Sequence, residues 1–325
     1  MNHVGDSLLE ICSRAKTELV LVAPFMKEEA VRRLINDVGK NVNVVCVTRW
    51  RPEEIKLGVS DLGVWNLLDE RPNGKVLLLH NLHAKYYRSD EECLVGSANL
   101  TLSALGWSTT PNVELLVPGS LDSLMQWEKD VYRTSVEADQ SLVYEMERLV
   151  ERLPETVPLV TAEPTGDSPA ASVQPDSSTY SWLPSLRYPD QLYMAYMGRL
   201  EELTLASRDL ALSDLSMLNL PRGLAETSFD AIIGAILLQM PLIHKIDQFL
   251  VKPRRFGEIR TILRSSEGAS YAFNPSEASQ TLIRWLRHFV PERYNLAMPN
   301  YSEILYRTDD KRTRLSEDYQ GPSVT

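Results

Sequence analysis

A nearly continuous apolar run at 42–47, VNVVCV, constrains the fold more than any other stretch of the sequence. A strand that is apolar on both faces must be covered on both faces, as the inner strands of α/β sheets are. Apolar runs at 18–23 and 75–79 flank it, and helical periodicity predicts helices between these runs, including one at 52–68, and another at 121–153. This order of elements predicts an α/β fold in which helices flank a mixed central sheet.

The stretch 83–99, HAKYYRSDEECLVGSAN, follows the third predicted strand. Strand-forming residues on both sides of the polar turn SDEE predict two antiparallel strands. Alternate residues of a strand share a face, so His83 and Lys85 are expected to project together. An imidazole beside an ammonium group suits phosphodiester chemistry, because the imidazole acts as nucleophile or proton donor near neutral pH while the ammonium holds phosphate oxygens.

The returning strand of this hairpin ends at 96–99, GSAN. The glycine is expected to let the backbone approach a ligand, while the Ser97 hydroxyl and the Asn99 amide supply short polar contacts. The stretch NVELLV predicts the next strand, on which Asn112 and Glu114 share a face. The candidate catalytic residues are therefore His83, Lys85, Ser97, Asn99 and Glu114.

In chain order the sequence contains His83-x-Lys85-x4-Asp90 and Gly96-Ser97-x-Asn99. This pattern resembles the HKD signature of the phospholipase D superfamily. The residues ALGW at 104–107 and NVEL at 112–115 resemble its bacterial nuclease-like members, and the resemblance covers the chain up to about residue 150. The gap between Asp90 and Gly96 is one residue shorter than is usual in the family, which leaves the role of Asp90 open.

Members of this superfamily combine two HKD motifs in one site, whereas this chain contains one motif and no second copy. The resemblance therefore implies a homodimer in which the two copies of His83 meet across a twofold axis. It implies that one His83 forms a phosphohistidine while its symmetry mate protonates the leaving oxygen. Lys85 and Asn99 would hold the non-bridging oxygens, with Ser97 assisting. Glu114 would orient the imidazole, and no cofactor or metal is implied.

Composition limits the classes of partner. The chain of 325 residues has a net charge of −10, so affinity for nucleic acid would require a local basic groove. Cys12, Cys46 and Cys93 are widely spaced, which indicates reduced thiols of a cytosolic protein and not a zinc site. The first residues lack the pattern of a signal peptide, and the longest apolar stretch, 231–243, is too short to span a bilayer. We therefore expect a cytoplasmic protein without membrane contact.

A proline-rich segment divides the chain. Five prolines are interleaved with Ser, Thr, Ala and acidic residues: Pro154, Pro158, Pro164, Pro169 and Pro175. No Lys or Arg lies between Arg152 and Arg187. This composition is typical of a linker and predicts a phospholipase D-like catalytic domain at 1–153, a linker at 154–180 and a helical C-terminal domain at 181–325.

The C-terminal domain combines predicted helices with basic residues. The helices are predicted at 191–205, 229–251, 256–264 and 276–289, and an extended segment follows at 294–306. The candidate nucleic-acid-binding residues are Arg254, Arg255, Arg260, Arg284 and Arg287. This order is compatible with a winged-helix-type DNA reader and also with a dimerisation or docking domain. Basic clusters are more often solvated faces than DNA contacts, so both interpretations stay open.

The leading hypothesis is a metal-independent phosphodiesterase, a DNA endonuclease that works through a phosphohistidine. The resemblance favours a setting in phage defence or restriction, with a defence-system protein as a further partner. One alternative is a phosphodiesterase acting on phospholipid headgroups, which would require an apolar membrane-binding surface. Another is a dimeric binding module whose chemistry is silent.

Overall fold

The computed structural model describes residues 3–155, 182–265, 274–298 and 303–308. These residues form two compact units. The first unit contains the described residues up to 155 together with Pro221–Pro241, and the second contains 182–220 and the described residues from Leu242 onward. The division differs from the predicted domains in one respect, because Pro221–Pro241 clusters with the first unit. Nearly all of the predicted linker lies outside the described residues.

The helices are α1 (Val4–Ser13), α2 (Glu28–Ile35), α3 (Pro52–Lys56), α4 (Gly63–Asp69), α5 (Leu121–Thr134), α6 (Gln140–Glu151), α7 (Asp190–Tyr196), α8 (Leu205–Leu218), α9 (Glu226–Leu238), α10 (Pro241–Phe249), α11 (Phe256–Ser265) and α12 (Pro275–Phe289). The strands are β1 (Glu18–Val22), β2 (Asn43–Thr48), β3 (Gly74–Leu78), β4 (Tyr86–Ser89), β5 (Glu92–Gly96), β6 (Leu116–Pro118), β7 (Val136–Glu137), β8 (Arg254–Arg255), β9 (Tyr294–Ala297) and β10 (Ile304–Arg307).

The first unit is built on a seven-stranded sheet with the strand order β6-β5-β4-β1-β2-β3-β7. Strands β1, β2 and β3 are parallel, and the other neighbouring pairs are antiparallel. This confirms the predicted α/β fold with a mixed central sheet, and β4 and β5 form the predicted hairpin. Strands β1, β2, β3 and β5 end on the same side of the sheet, where β4 and β6 begin. We call this row of strand ends the site edge.

The middle strands are buried because their side chains are apolar on both faces. In β2, Val44, Val45, Cys46 and Val47 are all nearly inaccessible to solvent, as the composition of the strand predicts. Helix α2 buries its apolar face and keeps its charged residues on the other side. The sheet is therefore a rigid platform whose strand ends present the candidate site.

Two helices predicted before residue 154 are each divided in the structure. The helix predicted at 52–68 is α3 and α4, separated by a turn in which Gly58 adopts a φ of +70°. A left-handed residue stops a helix, and glycine adopts this conformation without a steric penalty. The helix predicted at 121–153 is α5 and α6, because the chain extends into β7 and Asp139 then caps α6 by accepting a hydrogen bond from Leu142 N at 2.7 Å.

Helix α9 belongs to the first unit, and almost its whole circumference is apolar. From Phe229 to Leu238 every residue except Asp230 is buried. A helix that is apolar on all sides must be surrounded, and α9 packs against α3 and α6. Within the described residues no single helix is long and apolar enough to cross a membrane; α9 and α10 reach that length and composition only as a bent pair.

The second unit combines α7 and α8 with the sequence of elements α10-β8-α11-α12-β9-β10. Its three strands form an antiparallel sheet of order β8-β10-β9. Asn274 caps α12 as the sequence predicts, since its side chain accepts a hydrogen bond from Ser276 N at 3.0 Å. The second unit is mostly helical, in agreement with the predicted fold class.

Candidate functional site

The strand order brings the five candidate catalytic residues to the site edge. His83 and Lys85 precede β4, Ser97 and Asn99 follow β5, and Glu114 precedes β6. Because β5 pairs antiparallel with both β4 and β6, its end lies beside the starts of these two neighbours. Three separate segments of chain therefore meet at one place in the sheet.

His83 and Lys85 lie in a segment without regular secondary structure that directly precedes β4, and so lie just outside the strand that was predicted to carry them. The Lys85 Nζ donates a hydrogen bond to the His83 carbonyl oxygen at 2.9 Å. The Lys85 carbonyl oxygen in turn accepts from Gly96 N at 3.3 Å, which joins this segment to the end of β5. His83 itself is exposed, so its imidazole is accessible from solvent.

The segment that carries Ser97 and Asn99 is fixed to the end of β1. Asn99 Oδ1 accepts a hydrogen bond from Phe25 N at 3.4 Å, and Leu100 N donates to the Phe25 carbonyl oxygen at 3.1 Å. The buried Tyr87 hydroxyl donates to the Ala98 carbonyl oxygen at 2.5 Å. The carboxamide oxygen of Asn99 is thus used by the fold, which leaves its NH₂ group as the donor for a ligand.

The Glu114 carboxylate is held by two polar side chains. Ser97 Oγ donates to Glu114 Oε2 at 2.5 Å, and Asn112 Nδ2 donates to Glu114 Oε1 at 3.1 Å. Ser97 Oγ also accepts from Leu115 N at 3.1 Å. Asn112 and Glu114 therefore lie close together as expected, although they precede β6 and are not part of a strand.

The neighbouring chain passes very close to the backbone of Gly96, and the expected approach of a ligand stays a prediction. A Cβ atom at Gly96 would lie 1.9 Å from the Leu115 carbonyl oxygen. Glycine is required because the neighbouring chain passes this closely, and a ligand is not needed to explain it.

Asp90 has a structural role at the opposite end of β4 from His83. It adopts a φ of +48° in the hairpin turn, and its carboxylate accepts hydrogen bonds from the backbone N–H groups of Lys16, Thr17 and Glu18 at 2.7 to 3.0 Å. Partial burial works to raise the pKa of Asp90, but these backbone donors outweigh it and lower the pKa below its usual value. The residue fixes the loop that enters β1.

A second group of titratable side chains follows β2 and β3 at the site edge: Arg49, Arg51, Glu53, Glu54 and His80. Burial raises the pKa of Glu53 to about 7, against the opposing charge of Arg51. Burial, assisted by the same Arg51 charge, lowers the pKa of His80 to about 4, so this imidazole is neutral at pH 7. These residues lie outside the predicted site, although the charged stretch RWRPEE directly after a buried strand points to the carboxyl end of that strand as a place for functional residues.

The five arginines predicted to bind nucleic acid all lie in the second unit. Three of them contact the fold around them. The Arg254 Cζ lies 3.8 Å from the centre of the Phe249 ring, and Arg254 Nη1 donates a hydrogen bond to Glu258. The Glu258 carboxylate also accepts a hydrogen bond from the backbone N–H of Arg255. Arg260 Nη1 donates to Ser276 Oγ on α12 at 3.3 Å. Arg284 is half-buried and Arg287 is exposed on α12.

Metal ligands do not cluster in the part of the chain that the structure describes, where no three His, Cys, Asp or Glu side chains are grouped to hold an ion. The three cysteines are buried and unpaired as thiols. Burial raises the pKa of both Cys12 and Cys46 to about 12, which keeps these two thiols protonated and unreactive.

Comparison with models of known protein families gives no match to this chain, and comparison with curated protein sequences gives none. Among solved structures, NucT from Helicobacter pylori is similar at 20% sequence identity with a TM-score of 0.32. The similarity covers 39% of this chain and 84% of the NucT chain. At these values it carries no argument about function, and the fold assignment depends on the strand order and pairing described above.

Proposed function

We propose that this chain is a phosphodiesterase that cleaves nucleic acid, acting as a DNA endonuclease. The observation that carries the proposal is that the three segments bearing His83 with Lys85, Asn99, and Glu114 lie side by side at the site edge, and so bring together an exposed histidine, a lysine, an amide and a carboxylate residue. These are the groups needed to attack a phosphodiester and to hold its charged oxygens.

In the proposed mechanism a His83 nitrogen attacks phosphorus, and the bond from phosphorus to the leaving oxygen breaks. The leaving oxygen takes a proton from a second imidazole. Water then attacks the phosphohistidine, the second imidazole accepts the proton of the water, and His83 is released. Positioned acid–base catalysis of this kind contributes about 10²–10⁴-fold in rate. Because imidazoles supply the nucleophile and the acid, the reaction as proposed requires no metal ion.

The remaining candidate residues stabilise the charges that develop on the phosphate oxygens and on the His83 imidazole. The Lys85 ammonium and the Asn99 NH₂ group bind the non-bridging oxygens, where negative charge accumulates in the transition state. Glu114 orients the His83 imidazole and stabilises its cationic form. Ser97 assists by holding the Glu114 carboxylate, which is the contact it makes in the structure.

A second copy of the chain supplies the second imidazole in this proposal. In-line displacement places the nucleophile and the leaving group on opposite sides of phosphorus, so one imidazole cannot serve both. The proposed contact surface is the apolar row, which we define as Val113, Leu115 and Val117. All three side chains are exposed, Val113 completely. The row lies on the segment that leads into the edge strand β6 and ends on β6 itself, beside Ser97 and Glu114.

The second unit supports nucleic acid as the substrate. Its order of helices and strands, with a three-stranded sheet in the order β8-β10-β9, is the arrangement of a winged-helix module. In such modules the second helix of the helix-turn-helix pair enters the major groove. In this proposal α12 is the corresponding helix, and it carries Arg284 and Arg287. The proposed setting is defence against foreign DNA, with a partner protein of that system.

The proposal is tested by nicking of supercoiled plasmid in EDTA. We expect His83→Ala to lower the rate by at least about 10²-fold, because the nucleophile is removed. The matched control is His3→Gln, which changes an exposed histidine at the start of α1 and should nick at the wild-type rate. Equal rates for wild type and His83→Ala would show that the activity is a contaminant and that the site is silent.

A further inference from the structure

Arg49 holds the chain immediately before the candidate nucleophile. It follows β2 at the site edge, and its Nη1 donates a hydrogen bond to the Leu82 carbonyl oxygen at 3.0 Å. Its Nε and Nη2 donate to the two carboxylate oxygens of Glu54 at 3.1 and 2.5 Å. Both side chains of this pair are only 12% exposed. A two-bonded pair of this kind fixes the plane of the guanidinium, and with it the position of the Leu82 carbonyl.

The same guanidinium reaches the other half of the site. The Arg49 Cζ lies 5.2 Å from the centre of the Phe25 ring, a distance at which a cation is attracted to an aromatic face. Phe25 is the residue whose backbone N–H binds the Asn99 side chain. Arg49 is thus fixed between the segment that leads to His83 and the segment that holds Asn99.

Gln239 fixes the residue next to Arg49. Its Oε1 accepts from Trp50 N at 3.1 Å, and its Nε2 donates to the Trp50 carbonyl oxygen at 2.7 Å and to the Ala235 carbonyl oxygen at 3.0 Å. Gln239 is 1% exposed and Trp50 is fully buried. The side-chain amide of Gln239 therefore pairs with the backbone N–H and carbonyl groups of Trp50, as a neighbouring strand would do. Gln239 directly follows the last residue of α9.

From these contacts we infer that Arg49 and Gln239 are positioning residues for His83. Gln239 fixes the backbone of Trp50, which directs Arg49, and Arg49 fixes the carbonyl group one residue before His83. Neither residue needs to touch the substrate. This inference depends on the proposed function of His83, and it adds two residues that lie far from the HKD pattern in sequence. Displacement of a reacting group by about 1 Å costs about 10²-fold in rate, so loss of the Arg49 contact should act on catalysis and not on substrate affinity.

The test measures kcat and KM for plasmid nicking by Arg49→Ala, Arg49→Lys and Gln239→Leu. We expect kcat of Arg49→Ala to fall about 10²-fold with KM unchanged, Arg49→Lys to recover part of the loss, and Gln239→Leu to lower kcat in the same sense. The matched control is Arg71→Ala. Arg71 also binds backbone carbonyls, those of residues 38 and 39, but at the opposite edge of the sheet, and its removal should leave kcat unchanged.

Folding defects are separated from positioning by a double variant. Arg49→Ala leaves the largely buried Glu54 carboxylate without its bond to Arg49. The double variant Arg49→Met with Glu54→Gln removes both charges and still loses the bond to Leu82. A wild-type kcat in this double variant, or an equal loss of kcat in Arg71→Ala, overturns the inference.

The inference can also fail separately from the proposed function. If the wild-type protein shows no His83-dependent nicking, the proposed function is wrong, and amide hydrogen exchange at residues 82–86 then decides the positioning claim. Faster exchange in Arg49→Ala and Gln239→Leu than in wild type and Arg71→Ala supports positioning of this segment, and unchanged exchange overturns it.

Discussion

The roles of Gly96 and Asp90 in the hairpin became clear only from the residues that surround them in the structure. The type of residue at each position was evident, but its partner was not. Asp90 binds Lys16 N across 74 residues of sequence, and Gly96 approaches the backbone of Leu115. A motif identifies side chains that belong together, whereas close backbone contacts between distant segments become visible only after the strands are paired.

Asp247 is a buried carboxylate of the second unit that is paired with two arginines and a tyrosine. It accepts hydrogen bonds from Arg293 Nε at 2.7 Å, Tyr294 Oη at 2.6 Å and Arg307 Nη1 at 2.9 Å, and it is 1% exposed. Burial alone would raise the pKa of Asp247, but the hydrogen bond and charge of Arg293, with the charge of Arg307, lower it to about 2. The network ties α10 to β9 and β10.

We predict that Asp247→Asn destabilises the second unit by about 3–5 kcal/mol at pH 7, because two arginines then remain buried without their counter-charge. The folded-state pKa of Asp247 is below the unfolded value of about 3.9, so its contribution is present above that value and is lost as the pH falls toward 2. Urea unfolding of wild type and variant between pH 7 and pH 2.5 measures this.

The free-energy gap between wild type and Asp247→Asn should therefore narrow as the pH falls. Asp209→Asn, at an exposed position on α8, is the control and should show no gap. A gap for Asp247→Asn that stays constant with pH would contradict a charge-based origin.

At the level of helices and strands, the sequence predicted the type of most elements in the first unit and misplaced several ends. Buried strands such as β2 are evident because every position is apolar. The predicted helix at 229–251 is instead α9 and α10, and α10 begins at Pro241, which lacks the N–H group that a continuous helix would use. Helix α8 was missed because it buries few residues, Ala211, Asp214 and Leu218 among them, and shows no clear apolar stripe.

The candidate site was predictable to the extent that it lies in one motif. His83, Lys85, Ser97 and Asn99 lie at the two ends of a single hairpin, so antiparallel pairing of its strands is enough to bring them to the same place. Arg49 and Gln239 come from other strands and helices, and no local pattern relates them to His83. Their contribution depends on the sheet order and on the packing of α9, which periodicity does not determine.

Helix α12 gives the second unit its clearest prediction. If α12 enters a DNA groove, reversal of charge at Arg284 and Arg287 should weaken binding and make the dependence of log K on log salt shallower by about one to two. Fluorescence anisotropy with a labelled duplex at several salt concentrations measures both quantities.

The control for α12 is Arg199→Glu, which changes an exposed arginine of the same unit that lies 3.7 Å from Glu202. It should leave binding close to wild type. If the α12 variants bind duplex as wild type does, the second unit docks a protein partner by some other surface.

At the scale of the whole assembly, the proposed twofold contact can be disrupted at the apolar row. We predict that Leu115→Glu converts a dimer into a monomer, because it places a charge in a desolvated contact, and that it abolishes nicking although Leu115 takes no part in the chemistry. Sedimentation at micromolar concentration measures the first effect and the plasmid assay the second. Leu205→Glu, at an exposed leucine of the second unit, is the control.

Mixing subunits tests whether the site is shared. After co-refolding, an excess of His83→Ala should suppress the wild-type protein, since each mixed dimer holds one imidazole where two are needed. The double variant His83→Ala with Leu115→Glu should not suppress it. A wild-type protein that sediments as a monomer and nicks in proportion to its concentration would contradict the shared site.

The contact between Trp50 and Gln239 sets an order of events during synthesis of the chain. These residues are separated by 189 positions, which a ribosome translates in about 10–40 s at about 5–20 residues per second. During that interval the sheet of the first unit can form, but the backbone of Trp50 lacks its hydrogen bonds to Gln239, because α9 and the residue after it have not yet been synthesised. If the proposed function and the inference drawn above hold, a nascent or truncated chain that ends before α9 carries every residue of the HKD pattern but positions His83 poorly. The proposed activity is then acquired late, when most of the protein already exists.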